Sequence, residues 1–252
     1  MTDRQRDDAR GTVSDRQRDD ARGTVSDLPP LVLDIDGTLT RPSGHGIDPR
    51  VFDPVHDWPA PVVLATGKAF PYPIALCDFL DIEHLVVAEN GGVAVAHDDV
   101  HVHDAGDRID DVAAAIRDAG HDLGWGVADL VNRWRETELA VRRDVPADPL
   151  RDLAAAHDLA FVDTGYAYHL KPHDVSKGLA LERVAGALDR DPSAFVAVGD
   201  SENDVSTFER VDESYAVANA DDAARAAATT VLDAAHADGT LAALDAVRDR
   251  HA

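Results

Sequence analysis

From Leu31 onward, short apolar runs alternate with longer stretches in which apolar positions recur every three or four residues. Leu31-Val32-Leu33, Val62-Val63-Leu64-Ala65, Leu85-Val86-Val87-Ala88 and Phe195-Val196-Ala197-Val198 show no polar alternation, so they read as strands covered on both faces. Such strands separated by amphipathic helices predict an α/β fold, a Rossmann-like parallel sheet with its site at the strands' carboxyl ends. After residue 89 the pattern changes. A hairpin-like pair, Val93 to Ala96 and Val100 to His103, turns at Asp98-Asp99; a helix follows from about Ile109 to Leu123, then strand-like Thr137 to Arg142, a helix near Pro149 to His157, and strands Ala160 to Asp163 and Tyr166 to Leu170. This insertion, roughly 80 residues of α+β character, predicts a discontinuous core of residues 27–89 and 171–252 with a separate cap domain over 90–170.

The first 26 residues stand apart, because DRQRDDARGTVS at Asp3 to Ser14 recurs identically at Asp15 to Ser26. Two copies of a polar 12-residue segment have no apolar face to stack, so a disordered tail is expected rather than a solenoid. A tandem duplication in the DNA, or translation starting at Val25 from a GTG codon, would account for it.

The polar residues that end the apolar runs carry the chemistry. Leu31-Val32-Leu33-Asp34-Ile35-Asp36-Gly37-Thr38-Leu39-Thr40 delivers two carboxylates, spaced by two and so on one side, into a Gly-Thr turn. A carboxylate that attacks phosphorus splits a hydrolysis into two steps through an aspartyl-phosphate; Asp34, first at the strand end, is the candidate nucleophile. Asp36 is then the general acid and base. Gly37 lets the backbone approach, and the N–H groups of the turn can form an anion-binding concavity.

The second strand ends in Thr66-Gly67, and Lys177-Gly178 opens a helical stretch; Thr66, Gly67 and Lys177 are the candidate phosphate-binding residues. The chain has only three lysines, Lys68, Lys171 and Lys177, against 21 arginines, and all three lie beside these segments. Gly199-Asp200-Ser201-Glu202-Asn203-Asp204 ends the last of these strands with two further acids four apart. If Asp34, Asp200 and Asp204 share one pocket, each pair at ~4 Å repels by about 4 kcal/mol at an effective dielectric near 20, on the order of 10 kcal/mol in all. A divalent cation is therefore required, and oxygen-only ligands point to Mg²⁺.

In order and character these four segments resemble the motifs of the haloacid dehalogenase superfamily of aspartate-nucleophile phosphatases. The resemblance implies a haloacid dehalogenase-like core and metal ligands at Asp34, the Asp36 backbone carbonyl, Asp200 and Asp204, with Asn203 orienting them. It also implies that an insertion between the second and third motifs is a C2-type cap that closes over the core, with Asn90-Gly91-Gly92 at the crossing. Among capped members the chain is most similar to the archaeal phosphoglycolate phosphatase family. The expected activity is Mg²⁺-dependent hydrolysis of 2-phosphoglycolate to glycolate and phosphate; a sugar phosphatase and a non-catalytic binder of phosphorylated ligands are the alternatives.

Composition sets the surroundings. Forty of the 48 acids are Asp and the formal net charge is −24, tolerable where molar salt shortens the Debye length to about 3 Å. A salt-adapted cytoplasm is expected, as in haloarchaea. The same charge leaves no basic patch for nucleic acid, and no apolar run approaches the ~20 residues that span a bilayer. The expected partner is a small phosphorylated metabolite, with a homodimer left open. Cys77, the single cysteine, excludes an internal disulfide and reads as a core residue. His97, His101 and His103 alternate along the hairpin and read as solvated rather than as zinc ligands.

Overall fold

The computed structural model describes residues 28–42 and 46–251; the duplicated tail lies outside the described residues. In chain order the elements are β1 (Leu31–Asp34), α1 (Phe52–His56), β2 (Val62–Ala65), α2 (Pro71–Leu80), β3 (Leu85–Ala88), β4 (Val93–Ala96), β5 (Asp99–Val102), α3 (Arg108–Asp118), β6 (Leu139–Arg142), α4 (Ala147–Ala156), β7 (Ala160–Asp163), β8 (Ala167–Lys171), α5 (Lys177–Ala187), β9 (Val196–Gly199), α6 (Val205–Phe208), β10 (Glu213–Ala216), α7 (Asp222–Ala227), β11 (Thr230–Val231) and α8 (His236–Arg250).

An eight-stranded sheet in the order β11-β10-β9-β1-β2-β3-β4-β5 forms the core. It is parallel from β11 to β3. Its central strands are buried on both faces because alternate residues feed two apolar clusters. Leu31, Leu33, Val62, Leu64 and Val86 face one cluster with α2 and α8; Val32, Val63, Leu85, Val87 and Ala197 face the other, against α5. This is the α/β architecture the unbroken apolar runs imply.

The hairpin differs from expectation. Assigned from its pattern to the cap, it instead extends the core sheet: β4 pairs antiparallel with β3 (Val86 opposite Val95) and β5 with β4. A hairpin pattern fixes the pairing of its two strands but not the sheet edge they join, and the all-apolar β4, fully buried, needs cover on both faces. The inserted α+β unit therefore begins after β5. It is a three-stranded antiparallel sheet, β6-β8-β7, with α3 and α4 packed on it through Val112, Ile116, Leu150 and Leu170.

Helix α3 also stops five residues before the expected Leu123. Gly120 takes a left-handed φ of +85°, its N–H bonds the Arg117 carbonyl at 3.0 Å and the His121 N–H bonds that of Ile116 at 3.1 Å, a Schellman stop. Among the described residues no helix is long and apolar enough to cross a membrane.

Candidate active site

Strand order reverses between β1 and β9, which are neighbours in the sheet but far apart in sequence. The carboxyl ends of two such strands border a crevice where an α/β sheet binds ligands. Asp34 closes β1, and Asp200 follows Gly199 at the end of β9. The Ser176 hydroxyl caps α5 by accepting from the Leu179 N–H, which fixes the first residue, Lys177, beneath both strand ends. The buried Lys177 Nζ donates to Asp34 Oδ1 and Asp204 Oδ1, each at 2.7 Å.

Asp204 is held on its other oxygen as well: Oδ2 accepts from the Asp200 N–H at 2.9 Å and the Ser201 N–H at 3.1 Å, a capping box that shapes the loop after β9. Two oxygens remain, Asp34 Oδ2 and Asp200 Oδ1, both buried with no hydrogen-bond partner. Asp34, Asp200 and Asp204 each offer an oxygen within 4.8 Å of the others.

One ammonium cannot neutralise three carboxylates. Burial, opposed by Lys177 and reinforced by Asp204 and Asp36, pushes the Asp34 carboxyl up to about 7. Burial, with Asp34 and Asp204 adding to it, pushes Asp200 up to about 9. For Lys177 burial works against the charge, but Asp204 and Asp34 outweigh it and hold the ammonium protonated above its ordinary range. Buried, oxygen-only donors with two unsatisfied atoms and an excess of negative charge are a set that fits a metal ion.

A small cavity of about 60 Å³ opens onto this cluster. Asp34, Asp36 and Asp200 form its floor; Gly67, Lys68, Ser201 and Asn203 line it from the core, and Arg135, Thr164, Tyr166 and His169 from the inserted unit. Lys68 Nζ pairs with Asp36 Oδ2 at 2.8 Å. A buried polar chain joins the two sides. Asn203 Nδ2 donates to Asn90 Oδ1 at 2.9 Å, Asn90 Nδ2 donates to Glu138 Oε2 at 2.8 Å, and Glu138 Oε1 meets both His169 Nδ1 at 2.9 Å and Arg135 Nη1. Burial alone would raise the Glu138 carboxyl, but His169 and Arg135 outweigh it and pull it to about 2.

At the crossing from core to inserted unit, Glu89 and Asn90 both take left-handed φ values, +51° and +54°. Such strain costs about 1–3 kcal/mol per residue and persists only where neighbours over-determine it. Here the buried Glu89 carboxylate accepts from the N–H groups of Glu136 and Thr137 and from the Thr137 hydroxyl, tying the crossing to the segment that carries Arg135 and Glu138.

Of the residues singled out in the sequence, Asp34, Asp36, Gly67, Asp200 and Asn203 line the cavity. Thr66, Lys177 and Asp204 are buried and are not among the residues that line it. Thr66 Oγ1 accepts from the Lys68 N–H at 3.1 Å.

The expected anion-binding concavity at Gly37 is absent. Its N–H donates to Thr40 Oγ1 at 2.9 Å, and the N–H groups of Thr38 and Leu39 both turn back to the Ile35 carbonyl. The glycine is needed for another reason. At a φ of +84°, a Cβ on Gly37 would lie 1.9 Å from Asp200 Oδ2, so only glycine lets β1's turn pass beside that carboxylate. Sequence reasoning missed Arg135, Glu138, His169 and Asn219, whose Nδ2 donates to the Gly37 carbonyl at 3.1 Å.

Residues 152–244 match the family model of haloacid dehalogenase-like hydrolases. A Halobacterium salinarum protein named phosphoglycolate phosphatase is 58% identical over 220 residues, 87% of this chain and 97% of that protein. The chain belongs to the haloacid dehalogenase-like hydrolase family. A second relative of the same name, from Natronomonas pharaonis, is 53% identical over 228 residues, 87% of this chain and 98% of that one. The fold of this hydrolase is also that of the Thermoplasma acidophilum protein 0175, with a TM-score of 0.76 at 22% identity over 88% of this chain and 98% of that one. In this hydrolase the carboxylates at the carboxyl ends of β1 and β9 face a cavity that the inserted unit helps to line.

Proposed function

We propose that this protein is a Mg²⁺-dependent phosphomonoesterase that hydrolyses 2-phosphoglycolate through an aspartyl-phosphate on Asp34. The observation that carries the reading is the pair of orphaned oxygens, Asp34 Oδ2 and Asp200 Oδ1, at the floor of a cavity of about 60 Å³. Relatives above 50% identity named phosphoglycolate phosphatase support the substrate.

In this reading Asp34, Asp200 and the Asp36 carbonyl hold the ion. Asp204, both of whose oxygens already accept hydrogen bonds, positions Asp200 and Lys177 rather than completing the ligand set. When bound, Mg²⁺ supplies the positive charge that the floor lacks and polarises the phosphoryl group.

Asp34 attacks phosphorus, its Oδ1 steadied by Lys177, and the bond from phosphorus to the leaving oxygen breaks. Asp36, on the cavity floor, gives that oxygen its proton and then, as the carboxylate that Lys68 holds in place, takes one from the water that cleaves the aspartyl-phosphate. Residues from about 104 to 170 act as the cap, and Arg135, Tyr166 and His169 exclude water from the cavity. The net charge of −24 and the haloarchaeal relatives support a salt-rich cytoplasm as the setting.

Phosphate release at high KCl, with and without Mg²⁺, across 2-phosphoglycolate and a panel of sugar and nucleotide monophosphates, tests this. A strong Mg²⁺-dependent preference for 2-phosphoglycolate is expected. Preference for a sugar phosphate would discard the substrate, and silence across the panel would discard the enzyme.

A further inference from the structure

The residues that face the floor across the cavity do more than exclude water, because their chemistry is one-sided. Glu138 is fully buried and spends both oxygens inside the protein, on Arg135, His169 and Asn90. A carboxylate only accepts, so His169 Nδ1 carries its proton toward Glu138, and the other ring nitrogen, Nε2, is left for the cavity. Arg135 donates from Nε to the Val131 carbonyl and from Nη1 to Glu138; Nη2 has no protein partner among the described residues. Lys68 stands on the core side of the same space. Arg135 thus gives this wall its cationic character, while the carboxylate that holds it, Glu138, has both oxygens already bonded within the protein.

Size narrows what such a wall can meet. At 10–15 Å³ of accessible space per water, a cavity of about 60 Å³ admits roughly five water-sized groups. A phosphoryl group seated on the floor takes most of that space, so its leaving group comes up against the wall. The complement of a fixed guanidinium in so short a space is a planar carboxylate, which accepts charge-assisted hydrogen bonds.

We propose that Arg135, held in place by Glu138 and flanked by His169, is the specificity-determining residue of this site, and that it selects short phosphomonoesters whose leaving group carries a carboxylate. This deepens the phosphatase reading above and rests on it.

The test is the ratio of kcat/KM for 2-phosphoglycolate to that for 2-hydroxyethyl phosphate, which keeps the two-carbon leaving group but replaces the carboxylate with an alcohol. The native enzyme is expected to favour the carboxylate by about 100-fold. Hydrogen bonds to charged groups are worth about 1.5–3 kcal/mol, so Arg135→Met is expected to shrink that ratio by roughly 10- to 100-fold, mainly through KM for 2-phosphoglycolate. Arg135→Lys keeps a charge beside Glu138, protecting the fold, but loses the planar fork; it should retain part of the preference.

Equal losses on both substrates in both variants would mean that Arg135 only props the wall, which overturns the proposal and leaves the phosphatase intact. A native enzyme indifferent to the carboxylate would do the same. A native enzyme that turns over neither substrate would remove both readings at once, before any variant is made.

Discussion

Two buried polar clusters face each other across the cavity, and they answer burial in opposite ways. The floor sets Asp34, Asp200 and Asp204 around one ammonium, leaves Asp34 Oδ2 and Asp200 Oδ1 unpaired, and drives two carboxyls up to about 7 and about 9. The wall sets one carboxylate, Glu138, among Arg135, His169 and Asn90, with both oxygens bonded, and drives its carboxyl down to about 2. Asp34 and Glu138 are both buried; the number of cationic partners per carboxylate differs. Burying a charge costs several kcal/mol unless partners offset it. The wall is complete within the protein, whereas the floor keeps a deficit of positive charge that a bound cation removes.

Deleting charge should therefore harm the wall and relieve the floor, at least in stability. The largest effect expected is on turnover. Asp34→Asn removes the nucleophile and should lower kcat for 2-phosphoglycolate on the order of 10⁴-fold or more, read by phosphate release. In EDTA at pH 8 the same variant should melt higher than the native protein by calorimetry, because one strained carboxylate is gone while the amide oxygen that replaces it can still accept from Lys177. Near-native turnover would refute the nucleophile, and a lower melting temperature would erase the contrast between the clusters.

Glu138→Gln is the matched change in the wall, with the opposite sign. It strips Arg135 of its buried counter-charge, and breaking a buried pair by removing one partner costs about 3 kcal/mol or more. For a chain of this size that lowers the melting temperature by roughly 6–12 °C. A variant that melts with the native protein would show the wall to be held by packing alone.

A third test uses pH. Carboxyls raised to about 7 and about 9 in the folded, metal-free protein, against roughly 4 when unfolded, lend stability that is complete below pH ~4 and is lost as pH climbs through the folded values. Mg²⁺ binding must displace those protons, so the rise in melting temperature on adding Mg²⁺ should grow from pH 6 to pH 9 at constant KCl. A rise independent of pH would mean that Asp34 and Asp200 are already ionised without the ion.

The floor was legible in the sequence and the wall was not, for a physical reason. Asp34, Asp36, Asp200 and Asp204 sit within a few residues of one another at the ends of two apolar runs, so local spacing alone brings each pair together. What spacing could not show is that Asp204 turns both oxygens inward, or that the Gly37 turn satisfies its own N–H groups. The wall is assembled by tertiary contact. Arg135 is one of 21 arginines, Glu138 precedes an ordinary strand, and His169 alternates within the buried β8, where it reads as core. Only the Asn90-Gly91-Gly92 crossing hinted at the junction, and its left-handed backbone now explains why it was conspicuous. The parallel sheet was equally legible because two-sided burial writes itself as unbroken apolar runs; the hairpin was misassigned because pairing of neighbours says nothing about which edge they cover.

The smallest effect expected is at a hydrogen bond that joins the two clusters, Asn203 Nδ2 to Asn90 Oδ1 at 2.9 Å. Asn203→Ala removes this bond and the one its Oδ1 accepts from the Ser201 hydroxyl at 2.8 Å, neutral hydrogen bonds worth about 1 kcal/mol each, so a fall of roughly 4–8 °C in melting temperature and a few-fold loss in kcat/KM are expected. The effect should stay below that of Glu138→Gln because the backbone of the loop after β9 is held by Asp204: its Oδ2 still accepts from the Asp200 and Ser201 N–H groups, and Asn90 still donates to Glu138. Enzyme assays beside thermal melts decide it. A loss approaching that of Asp34→Asn would mean that floor and wall are one network tuned through this bond, and that the opposite responses of their carboxyls to burial are two ends of a single electrostatic arrangement.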